Sequence, residues 1–280
     1  MAAQDGGFRM ESVVPVDPKP LKREGGRRVN GAEKGPVPGL PMISVITATF
    51  NAAKTLSNTM QSIRSQSYPN IEWLVIDGGS TDGTVEILRD NEDTVDYWSS
   101  EADGGIYDAL NKGIEHAHGD WILFLGADDR LAKDDIVTTI FAQRQIGDEL
   151  LIYGDVQYEN AAKPFISGLS VKTLLHNTVH HQGAFYSRKL FDAGWRYDAG
   201  FRLIADYELN LRIALAKDKV VKLDGVVVSI CCDNGRSRTN LGALLRETNA
   251  IRGKHCGYFT NKLLSALFAL KVAAYYVRHK

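Results

Sequence analysis

From Met42 onward the chain breaks into short apolar runs: Ile43 to Thr47, Trp73 to Ile76, Val95 to Trp98, Trp121 to Leu125 and Leu150 to Tyr153. Runs of this length suit strands buried on both faces, and runs alternating with helical segments predict a mostly parallel α/β sheet with helices on both faces. Crossover helices are expected near Lys54, after Asp82 and over Ile106 to His118. In the last of these, Ile106, Ala109, Leu110, Gly113, Ile114 and Ala117 share one face, and Gly119 supplies a stop.

In open sheets of this kind ligands bind beyond the carboxyl ends of the strands, so the residues after each run are the candidate site. They are Thr49-Phe50-Asn51, Asp77-Gly78-Gly79-Ser80-Thr81-Asp82-Gly83, Glu101-Ala102-Asp103-Gly104-Gly105 and Gly126-Ala127-Asp128-Asp129. Glycine lets backbone approach a ligand closely, and a carboxylate such as Asp77 can accept from a base imide or a ribose hydroxyl. The same seven residues also suit a plain turn in which Ser80 caps the next helix. Asp128 and Asp129 follow a very apolar strand, where two carboxylates are costly unless something cationic satisfies them. A divalent cation, Mg²⁺ or Mn²⁺, bridging a diphosphate would do so; capping a helix that starts near Lys133 is the other use.

Composition narrows the classes further. With 33 basic and 34 acidic residues the net charge is -1, which excludes a general electrostatic footprint for nucleic acid. Cys231, Cys232 and Cys256 form no C-x-x-C spacing, so neither a disulfide framework nor a zinc site is expected, and a reducing cytoplasm fits. No secretory signal is recognised at the start. Residues 1–40 mix Gly, Pro and both charges without periodicity and are expected to form a disordered tail. Near the other end, Leu263, Leu264, Leu267, Leu270 and Ala274 recur at helical spacing among Lys262, Lys271, Arg278 and Lys280. Leu263 to Val277 is too short, and too interrupted by Lys271, to span a bilayer, which leaves a docked terminal helix or one lying at a membrane surface.

Four segments together carry a resemblance. Ile43 to Asn51, Val75 to Thr84, Asp103 to Gly113 and Gly119 to Asp129 resemble, in order and spacing, the family 2 glycosyltransferases. The likeness covers about residues 42–235, is strongest up to 130, and in its Gly-Ile-Tyr-Asp-Ala-Leu-Asn-Lys stretch is similar to bacterial enzymes of exopolysaccharide or colanic-acid-type assembly. It implies the GT-A fold: a Rossmann-like, mostly parallel sheet with a smaller acceptor-binding segment. It also implies a UDP- or GDP-linked nucleotide sugar, a divalent cation and inversion at the anomeric carbon.

Position by position, the resemblance puts Thr47, Thr49, Phe50 and Asn51 near the nucleoside and Asp77 on the base. Asp103 and Lys112 fall along the donor pocket, and Asp128 at the metal and sugar with Asp129 beside it. The family's Asp-x-Asp is broken here by Gly126. His181 and Gln182, within His180-His181-Gln182-Gly183, correspond to residues facing the donor sugar and diphosphate. Asp206 falls where the family carries its catalytic carboxylate, with Ala205 in place of a common Glu. An inverting transfer needs such a base for the acceptor hydroxyl. Glu208 is a weaker candidate, and Arg212, four residues on, suits a surface ion pair with it. The loop Asn234 to Arg238 is a candidate to close over the diphosphate with its two cations.

The implied organisation is a nucleotide-sugar-binding half over 41–155, an acceptor-binding half over 156–240 and a C-terminal helical segment over 241–280. The implied function is transfer of a sugar to a hydroxyl of a glycan or lipid-linked glycan, in the cytoplasm or at the inner face of the membrane with peripheral contact. The Gly126 departure leaves a catalytically weak nucleotide-sugar-binding protein as an alternative. A nucleotidyltransferase is the other, although Thr47 to Ala53 lacks the Gly-rich basic loop that such an enzyme needs after its first strand.

Overall fold

The structure is a computed structural model that describes residues 22–35, 37–142, 147–216, 219–233, 240–257 and 260–268. Strand β1 (Arg23–Gly25) is followed by β2 (Ile43–Thr49), α1 (Leu56–Arg64), β3 (Ile71–Asp77), α2 (Thr84–Asp90), β4 (Tyr97–Ser100), α3 (Ile106–His116) and β5 (Trp121–Phe124). Then come β6 (Arg130–Leu131), α4 (Ile136–Phe141), β7 (Leu151–Tyr158), β8 (Ala184–Ser187), α5 (Arg188–Asp192), α6 (Ala205–Ala216), β9 (Val220–Cys231) and α7 (Leu241–His255). Short 3-10 turns at Val171–Leu174 and His181–Gly183 lie between β7 and β8.

Among the described residues the strands make one nine-stranded sheet in the order β1-β4-β3-β2-β5-β8-β7-β9-β6. Strands β4, β3, β2 and β5 run parallel to one another, whereas β1 is antiparallel to β4 and β8 inserts antiparallel between β5 and β7. The chain reverses direction across the sheet at β2, which has β3 on one side and β5 on the other, so their carboxyl ends form the crevice expected of such a switch point. Alternation along β2 divides the core. Ile43 and Val45 face a cluster built with α1, α2 and α4, and Ile46 faces a second built with α3, α5 and α6. At Gly113 of α3 a side chain would collide with Ile46, so that glycine sets how closely the helix sits on the sheet.

Three expectations are corrected. The disordered tail does not extend to residue 40: Arg23 to Gly25 pair antiparallel with β4, and Arg27 and Arg28 donate backbone hydrogen bonds to Val95 and Asp96. Buried acids hold this segment, with Arg28 paired to Glu72 and Lys34 to Asp96 at 3.7 Å. Gly119 is not the left-handed stop of α3, which ends at Ala117 in extended backbone; a Cβ at Gly119 would lie 2.5 Å from Ser44 Oγ, so close approach explains it. Neither Asp128 nor Asp129 caps a helix, since α4 starts at Ile136 behind Asp135. The boundary drawn at residue 155 falls inside β7. Residues 1–21, the Asn234 to Arg238 loop, Leu270, Lys271, Ala274, Arg278 and Lys280 lie outside the described residues.

Candidate functional site

The ends of β2 and β3 are stitched to each other before any ligand is considered. Asn51 adopts φ +52°, a left-handed conformation that its short polar side chain tolerates. Its N–H donates to Ser80 Oγ at 2.7 Å and its Oδ1 accepts from Thr81 N at 3.1 Å. Asp77 is fully buried beneath this turn. Its Oδ1 accepts from Thr49 Oγ1 at 2.9 Å and from the Ser80 hydroxyl; its Oδ2 accepts from Gly79 N, Ser80 N and Ser100 Oγ at 3.1, 2.8 and 2.7 Å. Ser80 is thus a partner of Asp77 rather than a cap, and α2 starts after Gly83, at φ +100°. Thr47 turns into the core, where its hydroxyl accepts from Trp73 Nε1 at 3.0 Å, while Phe50 is 56% exposed at the mouth of the crevice.

Asp103 sits against the other side of this turn, close enough that a Cβ at Gly78 would lie 2.9 Å from its Oδ2. Burial raises its pKa despite the Gly105 N–H at 2.8 Å and the nearby Lys112. Lys112, one helical turn beyond Asp108, pairs with Glu101 at 3.0 Å and with Asp108 at 3.5 Å.

After β5 the chain makes a tight turn in which Asp129 N donates to the Gly126 carbonyl at 3.1 Å. The two carboxylates diverge. Asp129 is buried, taking N–H groups from Gly126 at 3.2 Å, Gln182 Nε2 at 3.1 Å and Cys232 at 3.0 Å. Burial, with Asp128 next to it, pushes its pKa up to about 6. Asp128 is exposed and makes no hydrogen bond among the described residues. A cation held by several carboxylates does not fit here, because no group of three His, Cys, Asp or Glu that could hold a metal occurs among the described residues. Asp128 alone does fit the way Mg²⁺ is often held, by one carboxylate with phosphate oxygens and water.

Asp206, at the first turn of α6, is brought to the same region by residues far away in sequence. Its side chain is 7% exposed. Oδ1 lies 3.0 Å from the Tyr107 hydroxyl, Oδ2 accepts from Asn177 Nδ2 at 2.6 Å, and His181 Nδ1 stands 3.5 Å from Oδ2. Burial alone would raise the Asp206 pKa, but the His181 and His180 rings and the Tyr107 hydroxyl hold it below its ordinary value. The 3-10 turn His181–Gly183 is therefore a bridge: Gln182 reaches the turn after β5, and His181 reaches α6. A Cβ at Gly183 would meet Val156 Cγ1 at 2.8 Å, so the glycine lets this bridge lie against β7. His181 Nδ1 and Gln182 Oε1 are both buried without a hydrogen bond among the described residues, a costly condition that a bound polar group would relieve.

Tyr107 and Asn177 escaped the sequence reading. The Gly-Ile-Tyr-Asp stretch drew attention to Tyr107 only as part of a motif, and nothing local marks Asn177. Glu208 is not in a surface pair; it is wholly buried, 2.7 Å from His255 Nε2, 3.3 Å from Lys254 and 3.5 Å from Arg212. These contacts join α6 to α7.

A glycosyl transferase family 2 model matches residues 44–195, more than half of the chain. A PGL/p-HBAD biosynthesis glycosyltransferase of Mycobacterium tuberculosis is 34% identical over 196 residues, which cover 68% of this chain and 76% of the relative. Among solved structures, Staphylococcus aureus TarS 1-349 in complex with UDP-GlcNAc superposes with a TM-score of 0.62 at 17% identity, covering 81% of this chain and 71% of that one. This chain spans 43% of the longer TarS structure, at a TM-score of 0.59 and 81% of its own length. The mannosyltransferase PcManGT of Pyrobaculum calidifontis, in complex with GDP-Man and Mn²⁺, gives 0.57 at 17% identity, covering 85% and 76%. The likeness in shape is that of the GT-A fold.

Proposed function

Because the chain belongs to glycosyl transferase family 2, we propose that it transfers one sugar from a UDP- or GDP-linked donor, with inversion, to a hydroxyl of a glycan or lipid-linked glycan. The reading rests chiefly on one observation: the His181–Gln182 bridge ties the exposed Asp128 turn to the buried Asp206 centre. A leaving diphosphate at the first and an acceptor hydroxyl at the second would stand on opposite sides of one sugar, as in-line displacement requires. The base and ribose would lie over Phe50 and the Asp77 turn, with Asp103 and Lys112 lining the path to the sugar. Asp206 marks the centre at which the acceptor is deprotonated. A divalent cation held by Asp128 and phosphate oxygens would neutralise charge on the departing nucleoside diphosphate.

Bacterial polysaccharide or glycolipid assembly at the cytoplasmic face of the membrane is the setting we favour. The helical residues 260–268 support peripheral contact. Leu264 and Phe268 are buried against the protein, while Leu263 and Leu267, four apart, are 62% and 46% exposed on the outer side. No helix among the described residues is long and apolar enough to cross a membrane.

The test is to incubate the purified protein with UDP-glucose, UDP-N-acetylglucosamine, UDP-galactose and GDP-mannose, with Mn²⁺, Mg²⁺ or chelator, and to measure nucleoside diphosphate release and donor binding. Release from one donor is expected, faster with metal. Tight binding of a donor with no release from any would favour the weak binding-protein alternative, and no binding at all would overturn the donor class.

A further inference from the structure

We propose that Tyr107 is a positioning residue for the transfer: its hydroxyl donates to the Asp206 carboxylate while that group is ionised, and turns to the Leu203 carbonyl once Asp206 has taken the acceptor's proton. The inference deepens the transfer reading above and rests on it. Tyr107 stands in the first turn of α3, 4% exposed, with its ring packed on Tyr197 at 5.2 Å between centroids. Its oxygen lies 3.0 Å from Asp206 Oδ1 and 3.1 Å from the carbonyl oxygen of Leu203, which precedes α6. A phenol has one hydrogen to give and lone pairs with which to accept. Two oxygens within reach of that hydrogen therefore make two arrangements, and the ring need not move to exchange them.

The other carboxylate oxygen has no such freedom. Oδ2 accepts from Asn177 Nδ2 at 2.6 Å, and that amide is fixed, because its Oδ1 accepts from Val179 N at 3.3 Å and from Asn210 Nδ2 at 3.5 Å. Asn210 is held in turn, donating to the Val179 carbonyl at 2.7 Å and accepting from the Tyr186 hydroxyl at 2.9 Å. An amide nitrogen only donates, so a proton on Oδ2 towards Asn177 would meet a donor, whereas a proton on Oδ1 meets a hydroxyl that can accept. The titratable groups around Asp206 are Tyr107 on α3, His180 and His181 before β8, Tyr186 on β8 and Tyr197 after α5. Burial and the neighbouring Asp206 hold the Tyr107 pKa well above its ordinary value, so the phenol keeps its proton and contributes only by turning it.

In the transfer step the acceptor O–H proton passes to the Asp206 carboxylate, and the oxygen's electron pair forms the bond to the anomeric carbon. The bond from that carbon to the diphosphate oxygen breaks, its pair leaving on the nucleoside diphosphate. The proton comes to rest on Oδ1, donated to the Tyr107 oxygen, while the Tyr107 hydrogen points at Leu203. Both arrangements leave the carboxyl group and the phenol hydrogen-bonded, so neither the base nor its conjugate acid is buried without partners. Loss of the proton to solvent reverses the turn.

The first arm of the test needs no activity, because Asp206→Asn mimics the protonated carboxyl group. A hydroxyl that can turn accepts from the new amide nitrogen, and the amide oxygen then keeps Asn177. A hydroxyl fixed as a donor instead forces the amide nitrogen against Asn177 Nδ2, two donors at the place of a 2.6 Å hydrogen bond. The variant's melting temperature near neutral pH is expected within about 4 °C of the unaltered protein, and a larger fall overturns the turning hydroxyl. The second arm measures nucleoside diphosphate release from the four donors above. Tyr107→Phe is expected to lower kcat about 10- to 100-fold with donor KM unchanged. It should also move the acid limb of kcat up by about one pH unit, because ionised Asp206 loses a charge-assisted hydrogen bond. Added to Asp206→Asn, it should cost nothing more. A Tyr107→Phe rate and pH profile that superpose on the unaltered ones, or a second loss on top of Asp206→Asn, overturns the positioning role. If the unaltered protein releases no nucleotide from any donor, the transfer reading fails, while the melting temperatures still decide the hydroxyl.

Discussion

Gly126 stands where the resemblance to the family puts the first Asp of Asp-x-Asp, and any side chain there would meet a specific obstacle. A Cβ built on Gly126 lies 2.5 Å from Asp129 Oδ2 and 3.0 Å from Asp128 Oδ1. The Asp129 carboxylate fills the space and is fixed there by N–H groups from Gly126, Gln182 and Cys232. Gly126→Ala would push that carboxylate away by roughly 1 Å, weakening the two bonds on Oδ2, each of a kind worth ~1.5–3 kcal/mol when the acceptor is charged. With partial relaxation the expected loss is about 2–3 kcal/mol, which in a chain of this size lowers the melting temperature by roughly 5–10 °C. Thermal unfolding at pH 7.5 with chelator measures it. Asp129→Ser supplies the control: if the collision is the cause, Gly126→Ala should cost little in that background, giving a coupling of about 2 kcal/mol in the double-mutant cycle. A melting temperature within 1 °C of the unaltered protein, or an additive cycle, would refute the reasoning. The same geometry predicts that Gly126→Asp gains no Mn²⁺ affinity, because the restored side chain must first expel Asp129.

Three further outcomes follow from other parts of the site. Asp129 has a folded-state pKa of about 6 against about 4 unfolded, so the folded protein holds a proton that the unfolded chain releases. Its contribution is therefore greatest below pH 4 and is lost as pH rises towards 6; the stability difference between the unaltered protein and Asp129→Asn should fall by ~2–3 kcal/mol across that window in urea titrations, and a flat difference would refute it. Asp77→Asn can keep an oxygen towards Gly79 N and Ser80 N while its amide faces two hydroxyls free to rotate, so it should cost under ~1 kcal/mol, whereas Asp77→Ala should cost ~2–4 kcal/mol; equal losses in urea unfolding would count against this reading. Glu208→Ala leaves His255 and Arg212 without their carboxylate, while Lys254 keeps Asp198 at 2.8 Å, and should cost ~1.5–3 kcal/mol, with hydrogen exchange in α7 accelerated more than in α3; unchanged exchange in α7 would show that the contacts do not hold that helix.

The four strand-end segments were legible because everything that defines them is local. An apolar run, a glycine or acid at its end and a helix with one apolar face all fall within about fifteen residues. β1 was illegible for the opposite reason. Three residues carry no periodicity, and what fixes them is a pairing with β4 together with Arg28 and Lys34 reaching buried acids on or beside β3 and β4. In composition those same charges look like part of a solvated tail. β8 posed a similar difficulty, since Ala184 to Ser187 read as part of an appended lobe, yet they run antiparallel to β5 and complete the central sheet.

The site divides along the same line. Asp77, Asp103 and Asp128 could be named from motifs because each is carried by the strand end that it follows. Their exposures could not be named, and exposure separates their uses: Asp77 and Asp129 spend their oxygens on N–H and O–H groups of the protein, and Asp128 does not. The Asp206 centre depends on α3, the segment around Asn177, the 3-10 turn and α6, which meet only when β8 has entered the sheet. That dependence has a chemical consequence. Gln182 binds the turn that would hold the leaving group, and its neighbour His181 faces the carboxylate of α6, so a displacement of either end is transmitted to the other through one peptide unit. Holding the turn after β5 through Gln182 and facing the Asp206 carboxylate with His181, its neighbour on a short, glycine-ended turn, keeps the two ends of the site in register without a long loop between them.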